Sequence, residues 1–474
     1  MRSMEKWSNA NILYSDDGGI SFFNIIKTVF RLSVPAIMAQ ITSIAMQYID
    51  AAMVGSLGAG ASAAIGLVST TTWLIGGLCI AAATGFSVQV AQLIGAGRKE
   101  DARNVFRQSI IIALIFGAIL CAIAVSISGS LPAWLGGSAE IRNDASRYFL
   151  IYACALPATQ FRQLSGSMLQ CSGDMRTPSV LNILLCILDV AFNYFLIFPS
   201  REIFFAGLSF TIPGAGMGVG GAALGTALAE VCTALLMMYA ACIRSDKLSL
   251  KSGGRWRLQK HCMTTAAKIA LPAAFEHTAL CGAYVASTLI IAPLGTVAVA
   301  ANSLAVTAES FCYMPGYGIG SAATTLVGQS IGAGKDDLAR RFARTSVLLG
   351  VVMMSCTAVI MFFAAPVMFS ILTPSEEVRI LGVQVLRIEA FAEPLYAASI
   401  VCAGALRGAG DTFVPSILNL ASMWGVRISA AILLVPYFGL RGVWIAMCGE
   451  LCVRGILFLI RLFREKWLRK KIIV

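Results

Sequence analysis

The sequence predicts an all-α integral membrane protein, with twelve transmembrane helices in two six-helix lobes related by a parallel pseudo-two-fold repeat. Three observations predict it: an apolar composition, twelve apolar runs of spanning length, and one register that superimposes the two halves. Of the 474 residues, 58% are hydrophobic and 13% charged, and mean hydropathy is +0.79. A soluble domain carries roughly 25% charged residues. Water-facing surface is too scarce here, so lipid has to solvate most of the chain. No hydrophilic stretch is long enough to form a soluble domain, and strand-period alternation is absent, which disfavours a transmembrane barrel.

The first 21 residues are mixed polar, with Glu5, Asp16 and Asp17, and lack the compact apolar stretch and small-residue cleavage site of a signal peptide. Phe22, Phe23, Ile25 and Ile26 suit either a short interfacial helix before the first span or a frayed tail. A spanning helix needs about 20 mainly apolar residues. Runs of that kind occupy 33–56, 62–93, 105–127, 147–171, 178–198, 218–242, 264–292, 297–329, 343–369, 381–406, 413–435 and 440–462. The domain plan follows: a cytoplasmic amino-terminal segment with its interfacial helix (1–32), an N-lobe (33–242), a cytoplasmic inter-lobe loop (243–263), a C-lobe (264–462) and a basic cytoplasmic tail (463–474).

Lys and Arg number 36 against 24 Asp and Glu, a net charge of +12. The excess lies in short segments between apolar runs, which reads as positive-inside topology and not as a nucleic-acid surface. Arg244, Lys247, Lys251, Arg255, Arg257 and Lys260 follow run six, and Arg461, Arg464, Lys466, Arg469, Lys470 and Lys471 close the chain. Arg98, Lys99, Arg103 and Arg107 follow run two; Lys335, Arg340, Arg341 and Arg344 follow run eight. The alternate loops carry only Arg142 and Arg147, Arg201, and Arg379. Both termini and the middle loop are therefore expected in the cytoplasm.

A shift of 237 residues carries Pro35 onto Pro272, Leu57-Gly58 onto Leu294-Gly295, and Ile94-Gly95-Ala96-Gly97 onto Ile331-Gly332-Ala333-Gly334. It also carries Pro157 onto Pro394, Gly173-Asp174 onto Gly410-Asp411, and Asn182 onto Asn419. The register slips only after 198, where the first half holds a longer loop, 199–217. An even number of spans per half makes the repeat parallel, with its axis along the membrane normal and a central cleft between lobes.

Several motifs resolve to structure. The Gly-Ala-Gly turns at 95–97 and 332–334 lack a Gly-Lys-Ser/Thr ending, so they read as helix stops and not as phosphate loops. Gly214 to Gly221 reads as close helix packing at the start of run six, because no strand precedes it and Val219 occupies the third glycine position. Asp174 and Asp411 read as helix caps. The fourteen cysteines lie mostly within apolar runs and none is spaced C-x-x-C, so they read as small buried hydrophobes. With His261 and His277 the only histidines, neither a histidine metal site nor a nucleophile–histidine–acid set is available, and the chain is not expected to be an enzyme.

Ionisable residues inside the runs are the candidates for function. Asp50, Asp189, Glu230, Glu276, Glu309, Glu389, Glu393, Arg427 and Glu450 all fall there. A charge at mid-bilayer costs at least about 2.5–3.5 kcal/mol unless paired or hydrated. Runs ten and eleven are antiparallel neighbours, so Glu389 and Arg427 are expected to form a structural ion pair. Glu230 and Glu450 have no evident partner. Glu276 follows Pro272 by four residues, and the carbonyl that the proline frees could join its carboxylate around a small cation.

Together these segments resemble the multidrug and toxic compound extrusion (MATE) family. The resemblance rests on Tyr48 to Gly55, Gln92 to Gly97, Asp189 to Phe195, Leu271-Pro272 through Glu276, Ala292 to Gly295, and Gly404 to Asp411, and it covers nearly the whole chain. It implies an antiporter, driven by Na+ or H+, that exports small organic, cationic compounds through a V-shaped cleft. It implies cation-coupling roles for Glu276, Asp50 and Asp189, with Na+ conceivable at Glu276. Asn193, Glu309, Glu393 and Tyr396 become substrate-cleft candidates in a cleft of mainly acidic character. Asp189 precedes Asn193 here, the reverse of one common family order, and Tyr396 stands where the sodium-coupled branch carries an aspartate. No cofactor beyond the coupling ion is implied, and the partners are a small-molecule substrate and the bilayer, with no nucleic acid and the chain a monomer. The alternatives are a flippase for a lipid-linked intermediate of the same superfamily, whose best-known members add spans beyond twelve and line the cavity with basic residues, and a channel, which the two-lobe repeat disfavours.

Overall fold

A computed structural model describes residues 21–205, 208–251, 253–254, 256–469 and 472, with side chains throughout except at 201–212 and 469. The amino-terminal segment before residue 21, and Arg255, Lys470 and Lys471, lie outside the described residues.

Among the described residues, twelve long helical segments follow one another. The N-lobe has α1 (Phe22–Gly55), α2 (Ala59–Gly95), α3 (Lys99–Ile127), α4 (Ala139–Cys171), α5 (Arg176–Ile197) and α6 (Gly218–Tyr239). The C-lobe has α7 (Lys260–Ile291), α8 (Thr296–Gly332), α9 (Asp336–Leu372), α10 in two pieces (Glu376–Glu389 and Glu393–Gly408), α11 (Phe413–Phe438) and α12 (Leu440–Phe463). Ten are long and apolar enough to cross a membrane. The other two are α4, which carries Arg142, Asp144, Arg147 and Arg162, and the interrupted α10.

The expected interfacial helix at 22–26 is no separate element. Nothing between Phe22 and Pro35 breaks a helix, and Ile25, Val29 and Leu32 are buried against Leu326 of α8, Leu338 of α9 and Trp467 of the tail. Apolar burial therefore extends α1 by a further three turns. The 199–217 connection, expected as a loop, pairs Pro199–Phe205 with Leu208–Ala215 as an antiparallel hairpin.

Helix packing repeats between lobes as the sequence register does. Helix α4 packs on α2, α3 and α6, and α10 packs on α8, α9 and α12. Helix α1 packs on α5, and α7 on α11. The lobes meet along α1–α8, α2–α7 and α2–α8. At the end that carries the basic loops, α2 and α8 cross so closely that a Cβ on Gly95 would collide with the Gln329 carbonyl, and one on Gly332 with the Gln92 carbonyl. The same side chains clasp the opposite arms: Gln92 Nε2 donates to Gly408 O at 3.3 Å, and Gln329 Nε2 to Cys171 O at 2.8 Å. All three pairs, 92 and 329, 95 and 332, 171 and 408, obey the 237-residue shift. Beyond the crossing the glycine turns end both helices as expected, with φ of 74° at Gly97 and at Gly334.

Basic segments close over this floor. Arg103 Nη2 donates to Asp246 O at 3.0 Å, Arg344 pairs with Glu465 at 2.9 Å, and the Ile472 amide donates to Gln92 Oε1 at 3.2 Å. Lys247 Nζ reaches Ser172 O at 2.6 Å, and burial pushes its ammonium below the usual lysine range.

The crossing is the seal of this end. Gly332→Leu in the purified protein is therefore expected to expose Cys171, raising its maleimide labelling several-fold in a background otherwise free of cysteine. Unchanged labelling with normal transport would show that the close approach seals nothing.

Candidate transport cavity and buried carboxylates

A cavity of about 530 Å³ lies between the lobes above the floor. From the N-lobe it is lined by Gln40, Ser43 and Gln47 of α1, Arg162 and Gln170 of α4, Asn182 of α5 and Glu230 of α6; from the C-lobe by Glu276 of α7, Tyr317 of α8, Tyr396 and Arg407 of α10, and Arg454 of α12. The size suits a drug-sized molecule.

Its charges are paired. Arg162 Nε meets Glu230 Oε2 at 2.6 Å, Arg407 Nη2 meets Glu276 Oε1 at 3.1 Å, and Arg454 grips Glu450 with two bonds of 2.7 Å. The expected acidic cleft is thus corrected to a balanced one, because each glutamate near it is answered by an arginine. Glu230 and Glu450, without evident partners in the sequence, have them here. Glu276 is fully engaged: Asn419 Nδ2 donates to Oε1 at 2.6 Å and Ser416 Oγ to Oε2 at 2.8 Å, besides Arg407.

Two other carboxylate groups stand apart from the cavity. In the N-lobe, Asp189 and Asn193 are one turn apart on α5 and so share a face. Asn193 Nδ2 lies 3.0 Å from Asp50 Oδ1 and 3.2 Å from Asp189 Oδ2, so two carboxylates converge on one amide. Gly225 of α6 makes the room, since a Cβ there would strike Asn193 Oδ1. Asp189 is 0% exposed, and its Oδ1 finds no hydrogen-bond partner among the described residues. In the C-lobe, α10 breaks at 390–392, just before Pro394, whose ring cannot donate a helix bond. Glu389 and Glu393 flank the break, both fully buried, and none of their four carboxyl oxygens has a partner among the described residues.

The Glu389–Arg427 ion pair does not form. Helix α11 widens into a π turn over Met423–Ile428, which turns Arg427 toward α12, where Nη2 reaches Met447 Sδ at 2.7 Å. Among the expected substrate-cleft residues, Tyr396 lines the cavity, while Asn193, Glu309 and Glu393 are buried inside their lobes. Arg162, Arg407 and Arg454 were missed; Arg454 lies one helical turn after Glu450, which was the available signal. Asp174 caps α5, its Oδ1 taking the Thr177 amide at 3.1 Å, and Asp411 holds Arg461 Nε at 2.9 Å. No three of His, Cys, Asp and Glu converge to hold a metal ion among the described residues.

Two lobes of six helices, a cavity at their seam and carboxylates buried within each lobe define a multi-pass membrane transporter. The MatE family model matches residues 35–195 and again 272–433, once in each lobe. The chain belongs to this family, the multidrug and toxic compound extrusion transporters, and is a transporter, not an enzyme. It is 26% identical over 454 residues to the probable multidrug resistance protein NorM of Thermotoga maritima, covering 95% of this chain and 94% of that one. It is 25% identical over 462 residues to the multidrug resistance protein MdtK of Yersinia pseudotuberculosis, covering 94% and 96%. The fold is similar to that of a MATE crystallised in complex with MaD3S (TM-score 0.86, 21% identity, 98% of this chain and 99% of that chain). It is also similar to a MOP superfamily transporter of Pyrococcus furiosus described as having a binding pocket of reversed polarity (TM-score 0.85, 21% identity, the same coverage).

Arg162 and Glu230 are each 13% exposed, so removing one leaves its partner charged in a poorly hydrated site. Arg162→Ala is expected to destabilise the protein by about 3–5 kcal/mol, and the Arg162→Ala/Glu230→Ala double variant by less. Thermal unfolding of both in detergent checks the order; an equal or larger loss in the double variant contradicts the pairing.

Proposed function

We propose that the protein is a cation-coupled antiporter that exports small organic compounds across the cell inner membrane, with H+ or Na+ as the coupling ion and alternating access between the lobes. The observation that carries this reading is the convergence of Asp50 and Asp189 on the Asn193 amide. Two carboxylates that close cannot both stay ionised without a cation between them. The site therefore takes up one small cation, and releasing it leaves repulsion that the lobe has to relieve by moving. Helix α5 connects that event to the substrate, since Asn182 and Leu185 on it line the cavity and Asp189 follows Leu185 by one turn. Glu276 is the less apt coupling group, because three donors already occupy its oxygens. The basic loops, gathered at one end by Arg103–Asp246 and Arg344–Glu465 contacts, support a cytoplasmic side for both ends of the described chain by the positive-inside rule. The relatives named for multidrug resistance support small-molecule export, and so does a cavity of about 530 Å³. A cavity that size does not favour a lipid-linked intermediate.

The test is ethidium efflux from everted vesicles, with sodium and proton gradients imposed separately. Asp50→Asn and Asp189→Asn, at normal membrane abundance, are expected to lose gradient-driven efflux by about tenfold or more, which corresponds to about 1.4 kcal/mol of lost coupling. Glu276→Gln is expected to lose less. Full efflux by Asp50→Asn would remove the N-lobe site from the mechanism.

A further inference from the structure

We infer that Arg407 is an anion-recognising residue of the cavity, so that among the compounds exported those that carry a carboxylate or similar acid beside a basic group are preferred. The inference rests on the export function proposed above and names the substrate class of that same cavity.

The charge the C-lobe wall presents is positive. In the Arg407–Glu276 pair the arginine side chain is 32% exposed and the glutamate 6%; in the Arg454–Glu450 pair the values are 11% and 0%. Each glutamate is shielded behind its arginine. Glu276 already takes three donors, Arg407 and Asn419 on Oε1 and Ser416 on Oε2, and its charge is matched by the guanidinium. Arg407 spends one nitrogen, Nη2, on that carboxylate; no other hydrogen bond of its guanidinium occurs among the described residues, and the residue lines the cavity. A guanidinium pinned on one edge and open on the other offers paired N–H donors that fit a carboxylate in bidentate fashion.

The repeat shows that the fold does not require this charge. Residue 170 is the counterpart of 407, and it is a glutamine on the same turn of α4. Ser416 and Asn419 have like counterparts in Ser179 and Asn182, whereas the counterpart of Glu276 is Ala39. The symmetric scaffold thus holds its shape with an uncharged residue at this place, and the acid and the arginine are added together in the C-lobe alone. Arg407 also adjoins the floor, since the carbonyl of the next residue, Gly408, accepts the Gln92 clasp. An acid bound at Arg407 would sit directly above the seal that alternating access has to break.

Rhodamine B, which carries a free carboxylate beside its cationic ring system, and its ethyl ester, which carries the cation alone, differ in the group at issue. Fluorescence polarisation with the purified wild-type protein is expected to show the acid bound about tenfold or more tightly than the ester, the effect of one charge-assisted pair of bonds. Arg407→Gln is expected to abolish that preference while keeping the ester, and Arg407→Lys to keep part of it. Equal binding of the two dyes by the wild type, or an undiminished preference in Arg407→Gln, overturns the inference. Should Arg407→Gln fail to fold, the wild-type ratio and Arg407→Lys decide: a preference retained in full by the lysine variant contradicts bidentate recognition. Efflux of the same dyes separates the two readings. Gradient-driven export of the ester at a rate equal to the acid's sinks the inference and leaves the export function standing, whereas gradient-independent behaviour of both dyes, with the acid still preferred in binding, sinks the export function alone.

Discussion

A charge inside an apolar helix bundle has to meet its opposite or a mobile ion, and the arrangement of this protein follows from that constraint. Arg162, Arg407 and Arg454 enter the bundle against Glu230, Glu276 and Glu450. Breaking such a pair leaves a stranded charge, which costs several kcal/mol, so the pairs fix which helices stay together. Arg162–Glu230 ties α4 to α6, and the Glu276 network ties α7 to α10 and α11. The carboxylates that no arginine bonds among the described residues are then conspicuous. Asp50 and Asp189 face one amide, and Glu389 and Glu393 flank the break in α10. The division separates charges paired at the cavity wall from carboxylates buried without an arginine bond.

The duplicated sequence supplies the second constraint. Because Gln92 and Gln329, Gly95 and Gly332, and Cys171 and Gly408 are related by one shift, the floor is closed by two copies of the same clasp. Neither lobe can tilt away without breaking both, which makes opening of that end a concerted event. The departures from symmetry are charged: Asp50 and Asp189 in one lobe, Glu276 with Arg407 in the other.

Much of this architecture was legible in the sequence. Apolar stretches of spanning length disclosed the twelve runs, and glycine and proline positions disclosed the repeat because their backbone demands tolerate few replacements. The extent of α1 was not legible, because Ile25, Val29 and Leu32 are helical by virtue of partners in α8, α9 and the tail, up to more than 400 residues away. The hairpin at 199–215 was missed for want of alternation between Pro199 and Gly214. Buried acids were found, but their partners were not. Glu230 and Arg162 are 68 residues apart, and Glu276 and Arg407 are 131 apart, so only the packed bundle brings them together. The misplaced Arg427 reflects a π turn, which inserts a residue into the helical count and leaves no mark in the apolar pattern.

The central claim is that the unanswered N-lobe carboxylates hold the exchanged cation while the paired glutamates do not. Cation release on substrate binding tests it most directly. Purified protein in weakly buffered detergent solution, with and without sodium, is mixed with saturating ethidium, and a pH indicator and a sodium electrode record what leaves. The account predicts close to one cation released per ethidium bound by the wild type, none by Asp50→Asn, and an undiminished count from Glu276→Gln. A full count from Asp50→Asn, or its loss in Glu276→Gln alone, would contradict it.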